Sequence, residues 1–364
     1  MSDEDLRALA RLAGTDGGAA VLRYIAALER AGRRTEALAA LSAGRAHPDV
    51  LAEVRRRAGP LRGSPQGSAW SSGPAITRSP VVRWKRSVRV AGSRGVEYLL
   101  GNAFGIVLAW HDEQRSNLSV VIIDPETAEI RGSPKPFEGH IPCVAVVEDT
   151  ALYVIGREAP GGSTLVSLDL VTGATLWEAP WSWAVLLAAI ETPRIPPPQN
   201  LPETAGAMRF PWEAGRFTWS AYRHGGETTL SLGDDGPVVW RTSLPRWASW
   251  DGSDFIVFMA ADSRGGDHLS MAIVIVDATG ETGRVRLETG DSPGSPAICD
   301  RTVYCVIRHG RSLVAFDTKG RTLWERPLDP VGTTGPRLLS MSSRLYLVAQ
   351  KRDDLEITCL EEPP

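Results

Sequence analysis

Cysteine is scarce in this sequence, and long apolar runs are missing. Its 364 residues include 4 cysteines, at positions 143, 299, 305 and 359, too few for a disulfide framework. The longest apolar run, Ala184 to Ile190, has about seven residues, whereas a helix that spans a bilayer needs about 20. The first residues, Met-Ser-Asp-Glu-Asp, are acidic where a secretory signal is basic and then apolar. We therefore expect a cytoplasmic protein with reduced thiols and no membrane partner.

An excess of charge of one sign is missing as well. The formal net charge is −3 and the isoelectric point is near 6.1. A sequence-independent grip on nucleic acid needs a broad basic surface, so we expect no nucleic-acid partner. The hydrophobic content of 43% is typical of a globular chain and excludes disorder throughout.

Recognisable catalytic and metal-binding motifs are few, and each has a structural explanation. The segment 290–294 matches the Gly-x-Ser-x-Gly nucleophile elbow, but the residue after the serine is Pro293, which has no N–H for an oxyanion. No pair of histidines is spaced four residues apart, as a zinc-binding helix would require. Asp234-Asp-Gly236 predicts a tight turn before it predicts a metal loop. Cys299 and Cys305 flank a predicted turn and are expected to be small buried side chains. We therefore predict no catalytic residues, no metal and no cofactor.

One sequence motif occurs five times between residues 122 and 328: an alternating apolar run, an Asp, a Gly-containing turn and a second run that often holds Trp. Its clearest copies are 165–177 and 313–324. The turn residues are separated by 45, 65, 43, 40 and 44 positions; they are Asp124, Asp169, Asp234, Asp277, Asp317 and Glu361. A spacing near forty with several strands per unit is typical of a β-propeller blade. We therefore predict a mainly β protein built of four-stranded antiparallel blades.

The two ends of the chain indicate how the ring closes. The sequence ends where a further Trp-bearing strand is due, and such a strand occurs instead near the beginning, at Val81 to Val88. A ring closed by this N-terminal strand would leave no open sheet edge. We count six blades, or seven if the insertion in the 65-residue interval contains a degenerate blade. The prolines in 194–202 instead predict a protruding loop there.

Helical patterns precede the repeats. Apolar residues recur at helical spacing in 2–58, with predicted helices near 6–13, 18–31, 35–43 and from Pro48 to before Gly59. The stretch Tyr24 to Leu41 resembles a single tetratricopeptide-type hairpin. A Gly/Ser/Pro linker follows at 59–75. The predicted organisation is thus a helical segment (1–58), a linker (59–75) and a propeller (76–364), and whether the helices dock on the propeller or on a partner is open.

The repeated motif, apolar-x-apolar-Asp-x-x-Thr-Gly-x-x-x-Trp, resembles the repeat of the quinoprotein-like (pyrroloquinoline-quinone-like) β-propellers. Residues 169–177 match it well, 317–324 match without the Thr-Gly pair, and the likeness extends over about 76–362. In that family the Gly makes a turn between blade strands and the Trp packs between blades. Trp84, Trp177, Trp240 and Trp324 occupy this position. Some members bind a quinone and calcium, whereas others are scaffolds.

Tryptophans outside the repeat position are candidates for an interface, because aromatic residues and arginine contribute much of the energy of binding between proteins. With Arg194 they define a candidate interaction surface: Trp181, Trp183, Arg194, Trp212, Trp219, Trp247 and Trp250. Packing of the insertion onto the ring is the structural alternative. The sequence favours a non-catalytic scaffold or adaptor for another protein, in a multi-protein bacterial system. The rival hypothesis is an enzyme or sensor that binds a quinone or another small molecule in the central channel.

Overall fold

The structure of this protein is a computed structural model. It describes residues 3–14, 17–58, 74–90, 95–112, 114, 117–138, 140–156, 164–197, 217–221, 227–232, 238–243, 247–250, 255–261, 271–288, 291, 294, 296–329 and 336–364.

Four α-helices begin the described chain: α1 (Asp3–Ala13), α2 (Gly18–Arg30), α3 (Arg34–Ala43) and α4 (Pro48–Ala58). They match the helices predicted from apolar spacing to within a few residues. Val21, Ile25 and Leu28 of α2 are buried, as one face of an amphipathic helix should be. Gly32 follows α2 with a φ of 74°, a conformation that favours glycine at a helix end.

The rest of the described chain is mainly β. Its strands form six antiparallel sheets, five of four strands and one of three. Sheet 1 contains β2 (Tyr98–Asn102), β3 (Gly105–His111), β4 (Asn117–Ile123) and β5 (Ile130–Glu138). Sheet 2 contains β6 (His140–Val147), β7 (Thr150–Gly156), β8 (Thr164–Asp169) and β9 (Thr175–Pro180). Sheet 3 contains β10 (Phe217–Ala221), β11 (Glu227–Leu232) and β12 (Val238–Ser243).

The later sheets repeat the same order. Sheet 4 contains β13 (Trp247–Trp250), β14 (Phe255–Ala261), β15 (Met271–Asp277) and β16 (Gly280–Arg286). Sheet 5 contains β17 (Ala297–Cys299), β18 (Thr302–Ile307), β19 (Ser312–Phe316) and β20 (Thr322–Pro327). Sheet 6 contains β21 (Arg337–Met341), β22 (Arg344–Lys351), β23 (Asp354–Glu361) and, from the other end of the chain, β1 (Val81–Arg89). This succession of four-stranded antiparallel sheets is the arrangement expected of propeller blades.

The apolar core lies between the faces of neighbouring sheets. One buried cluster joins Ile106 of sheet 1 to Tyr346 of sheet 6, and another joins Phe255 of sheet 4 to Val303 of sheet 5. These sheets therefore bury their apolar faces against a neighbouring sheet, as the repeated sequence motif requires.

The repeat Asp residues are turn residues. One oxygen of Asp124 accepts the N–H groups of Glu126 and Thr127, at 2.7 and 3.0 Å. Asp169 does the same with Val171 and Thr172, at 2.7 and 3.1 Å. A carboxylate that accepts backbone N–H groups two and three residues later fixes a tight turn. These two Asp residues thus shape the link between the third and fourth strands of sheets 1 and 2.

The segment around Trp84 pairs with the last strand, as predicted. In sheet 6, Trp84 of β1 lies opposite Cys359 of β23. The indole N–H of Trp84 donates to the carbonyl of Pro125, in the turn of sheet 1, at 3.3 Å, and the Tyr346 hydroxyl reaches the same oxygen at 3.3 Å. This Tyr–Trp pair therefore ties sheet 6 to sheet 1.

Sheet 5 has a matching pair with a different carbonyl. The indole N–H of Trp324 donates to the carbonyl of Ile76 at 2.9 Å, and the ring of Trp324 lies 5.9 Å from that of Tyr304. Ile76 precedes β1, so between sheets 5 and 6 its carbonyl has the role that the Pro125 carbonyl has between sheets 6 and 1. The two ends of the chain together build the turn of sheet 6.

This composite turn corrects one sequence assignment. The repeat spacing predicts Glu361 as the turn carboxylate of the last repeat, but this residue lies within β23 opposite Arg344 and pairs with Arg83 at 2.8 Å. Glu362 accepts from the Thr77 hydroxyl at 2.8 Å and from the Arg78 N–H at 3.1 Å. Glu362 is therefore the turn carboxylate of sheet 6, and its hydrogen-bond donors come from the other end of the chain.

The helices dock on sheets 1 and 2. Buried side chains of α2 and α3, among them Leu28 and Leu41, belong to one cluster with Tyr98 of sheet 1 and Leu168 of sheet 2. Arg34 of α3 pairs with Glu126 at 3.0 Å and donates to the carbonyl of Ala103 at 3.1 Å. Both partners lie in turns of sheet 1, so the helices cover the end of the sheets where the first and third turns lie.

Candidate functional site

The insertion that follows sheet 2 carries the first members of the candidate surface. It begins with a helix, α5 (Trp183–Glu191), which ends before the proline-rich residues 194–202. The loop predicted there is described only over 194–197, which form neither helix nor strand, and 198–202 lie outside the described residues. The Ser182 hydroxyl accepts the N–H of Val185 at 3.2 Å and so caps the helix. The carbonyl of Pro193 accepts the indole N–H of Trp177 and the hydroxyl of Ser167, each at 2.9 Å. Up to this point the insertion therefore packs on sheet 2, because its backbone supplies an acceptor to the repeat Trp.

Trp181 is half-buried at the edge of an apolar cluster between sheet 2 and α5, which includes Trp177 and Leu186. Trp183 is the first residue of α5, and its side chain lies outside the described part. Both residues lie on the segment that leaves sheet 2. The structure thus places these two members of the candidate surface next to sheet 2.

The other tryptophans of the candidate surface lie elsewhere. Trp219 is in β10 opposite Leu230, and Trp247 and Trp250 are in β13. Their side chains, and Trp212 as a whole, lie outside the described residues. The backbone places three of the four on the first strands of sheets 3 and 4. A single surface made by all six tryptophans remains a prediction.

Arg194 joins an ionic cluster between the helices and sheet 2. Its guanidinium pairs with Asp149 at 2.9 Å and with Asp169 at 2.6 Å. Arg45, in the turn after α3, pairs with Asp149 at 2.8 Å, and the hydroxyl of Ser42 also bonds to that carboxylate. Burial raises the pKa of Asp149, but the bond and charge of Arg194 and the charge of Arg45 outweigh it and hold the pKa below its ordinary value. The cluster fixes the helices and the insertion to two turns of sheet 2, those that hold Asp149 and Asp169.

A second ionic cluster is centred on Glu126. Its carboxylate pairs with Arg344 at 2.6 Å, with Arg34 at 3.0 Å and with Arg83 at 3.0 Å. These arginines belong to β22, α3 and β1. Burial raises the pKa of Glu126, but the bond from Arg344 and the three positive charges outweigh it and lower the pKa. One side chain in a turn of sheet 1 thus links the helices, the N-terminal strand and the last sheet.

The residues with catalytic potential have structural roles where they are described. Asp291, in the segment that matched a nucleophile elbow, is buried and accepts the N–H groups of Arg308 and His309 at 2.6 and 3.1 Å. His111 is buried with Nδ1 2.8 Å from Glu97. Cys299, Cys305 and Cys359 are buried free thiols, and burial raises the pKa of Cys359 to about 12. The described residues contain no group of three or more His, Cys, Asp or Glu side chains that could hold a metal ion.

Membrane crossing by a helix finds no support in the described part of the chain, where none of the helices is both long and apolar enough for it.

Comparisons with known proteins give structural likenesses only. No protein-family model matches this chain, and no curated protein does. Among solved structures, the chain is similar to the β-propeller domain of Cps50 (Swd1) from Myceliophteria thermophila, with 10% identity and a TM-score of 0.41 over 77% of this chain and 99% of that one. It is similar to BamB from Moraxella catarrhalis, with 12% identity and a TM-score of 0.29 over 78% and 100%. It is also similar to KlHsv2 with loop 6CD replaced by a Gly-Ser linker, with 9% identity and a TM-score of 0.32 over 71% and 77%.

Proposed function

We propose that this protein is a non-catalytic scaffold or adaptor for another protein, built on a closed ring of six β-propeller blades of the quinoprotein-like type. The domains are a tetratricopeptide-like helical segment (1–58), a linker (59–75) and the propeller (76–364). The protein works in the cytoplasm as a subunit of a multi-protein bacterial system. It recognises its partner through aromatic anchors on the insertion after sheet 2 and on the sheets that follow.

The observation that carries this proposal is that acidic side chains bind arginines or backbone N–H groups from other parts of the chain. Asp149 and Glu126 each bind arginines from other elements, and Asp291 binds backbone N–H groups. Acidic side chains of this kind could serve as acids or bases in an enzyme. Here they hold helices and sheets in one frame, which suits a molecule that presents a fixed surface.

Affinity capture with the full chain tests the interaction. The variant with Trp181→Ala, Trp183→Ala and Trp212→Ala is compared with the wild type and with Leu323→Ala, a control at an exposed apolar residue of sheet 5. We expect the triple variant to lose a partner that both other proteins retain, because truncated aromatic anchors weaken binding most. A partner held equally by the triple variant contradicts the assignment of the surface.

A spectral titration with pyrroloquinoline quinone and calcium tests the non-catalytic part. We expect no saturable change in absorbance. A tight, saturable change would instead support the channel-binding function.

A further inference from the structure

A groove lies between sheets 5 and 6 on the side of their last strands. Its volume is about 200 Å³, and β20 and β1 both contribute to it. The apolar part of its lining includes Val82, Leu328 and Ala349. Val82 is 38% exposed, whereas Ala349 is buried. Pockets for drug-sized ligands and cofactors usually hold about 300–1,000 Å³. The groove is smaller than that, so it suits one or two side chains of a peptide.

The groove continues a place where the chain already binds its own backbone. Residues 74–80 lie between the same two sheets, with Ile76 buried in a cluster that contains Trp324 of sheet 5 and Leu360 of sheet 6. Arg326 donates to the carbonyl of Pro80 and also lines the groove. This segment has no regular secondary structure. The space between these sheets thus accepts an irregular length of polypeptide, and the groove is the adjoining stretch.

The charges of the lining favour an acidic occupant. Three cations line the groove, Lys85, Arg326 and Lys351, against two carboxylates, Asp329 and Glu356. Lys351 lies 2.9 Å from Glu356, but Lys85 lies 3.7 Å from that same carboxylate. The side chain of Lys85 is 48% exposed. The lining is therefore net positive in a chain whose net charge is −3, and Lys85 can turn to a second carboxylate.

We propose that the groove between sheets 5 and 6 binds a short segment of a partner protein, an apolar side chain flanked by Asp or Glu. The apolar side chain contacts Val82, Leu328 and Ala349, and the carboxylates pair with Lys85 and Lys351. This inference rests on the proposed interaction function and adds a peptide site separate from the tryptophan surface.

Peptide binding to the full chain tests the site. The probes are two sets of short, amidated, fluorescein-labelled peptides with a Leu, Ile, Val or Phe centre: one set has Asp or Glu on both sides, the other Lys or Arg. Fluorescence polarisation measures binding to the wild type and to two variants. Lys85→Glu with Lys351→Glu reverses the charges of the groove. Arg86→Glu is the matched control, because Arg86 is an exposed cation on β1 whose side chain faces away from that of Lys85.

We expect saturable binding of acidic peptides, weakened by about tenfold or more in the groove variant, because loss of a charge partner at an interface has effects of that size. Binding should fall as salt rises. The Arg86→Glu protein should bind within about twofold of the wild type. If the groove variant does not fold, Lys85→Gln with Lys351→Gln removes the same charges more mildly, and its binding decides.

Several results would overturn the site. They are the absence of saturable binding by any acidic peptide, equal binding of the basic set, equal weakening by Arg86→Glu, and displacement of the peptides by a single-stranded oligonucleotide. Failure of the peptides while the triple tryptophan variant still loses a captured partner would sink the groove alone. Retention of every captured partner by the tryptophan variant would sink the surface proposed above and leave the peptide result to stand by itself.

Discussion

The hydroxyl of Tyr304 holds the N-terminal segment against sheet 5, and its removal should cost measurable stability. The backbone N–H of Ile76 donates to this hydroxyl at 2.7 Å. Tyr304 is fully buried, and burial raises the pKa of its hydroxyl, so the group stays neutral at physiological pH. Tyr304→Phe keeps the ring and its contact with Trp324, and it takes away only the oxygen. The buried N–H of Ile76 then lacks this acceptor.

A buried donor that loses its acceptor costs about 1–3 kcal/mol, so the free energy of unfolding should fall by about 2 kcal/mol. Tyr346→Phe is the matched control, since that hydroxyl shares the carbonyl of Pro125 with the indole of Trp84. The carbonyl keeps one donor in this variant. We expect it to lose less than about 1 kcal/mol, in the range of one ordinary hydrogen bond.

Urea denaturation of the two variants and the wild type, with the slope fitted for each, gives the difference in stability. Amide hydrogen exchange adds a local measurement, because the Ile76 N–H should exchange faster in Tyr304→Phe and unchanged in Tyr346→Phe. A loss below about 0.5 kcal/mol, the size of a neutral surface change, would refute the reasoning. Equal losses in both variants would refute it too.

Three further predictions concern the turns, the ionic clusters and the thiols. Gly173→Ala should destabilise the protein more than Gly32→Ala. Both glycines have φ near 74°, which costs an L-residue about 1–2 kcal/mol, but only at Gly173 would the new Cβ meet the backbone of the neighbouring sheet, at 2.5 Å from the Arg131 carbonyl. Equal losses of stability in thermal melts would contradict the contact. Glu126→Gln should lower the free energy of unfolding by about 1–2 kcal/mol at neutral pH. Because the folded pKa of Glu126 is depressed below 4.5, its stabilisation is present above that pH and is lost as pH falls through the folded value; the variant should therefore show a weaker loss of stability in acid, and an unchanged pH profile would contradict this. Cys299, Cys305 and Cys359 should resist a thiol reagent at pH 8 until the protein is unfolded, because burial raises the pKa of Cys305 and Cys359; mass spectrometry showing rapid labelling of the native protein would contradict their burial.

The sequence predicted the sheets well because their signals are local and repeated. Alternating apolar residues and an Asp before a turn are written within each unit, so β8 to β9 could be recognised from residues 165–177 alone. The pairing of the Trp84 segment with the last strand also followed, since a missing copy at one end matched a surplus copy at the other. Trp84 lies opposite Cys359 accordingly.

What the sequence could not reveal depends on partners far along the chain. The apolar run Ala184 to Ile190 fits a buried helix or a strand equally by period, although Ser182 was a readable cap for α5. Arg194 is predicted by residue type to belong to an interaction surface, and this stays a prediction, but its contacts with Asp149 and Asp169 could not be foreseen. Those contacts exist only once the sheets and helices are packed together. Glu362 was missed because its hydrogen-bond donors are Thr77 and Arg78, at the other end of the chain.

The pairing of β1 with β23 is the central structural claim, and a cross-link measures it directly. Ser87 and Glu356 are direct partners in this pair, where Cα atoms stand about 4.5–5.5 Å apart, within reach of a disulfide. After mild oxidation, Ser87→Cys with Glu356→Cys should form that disulfide, identified by mass spectrometry of the joined peptides. Ser87→Cys with Thr358→Cys, offset diagonally by about 7–8 Å, should form little of it. A disulfide in the offset variant, or none in the direct one, would contradict the register and the joining of the two chain ends in one sheet.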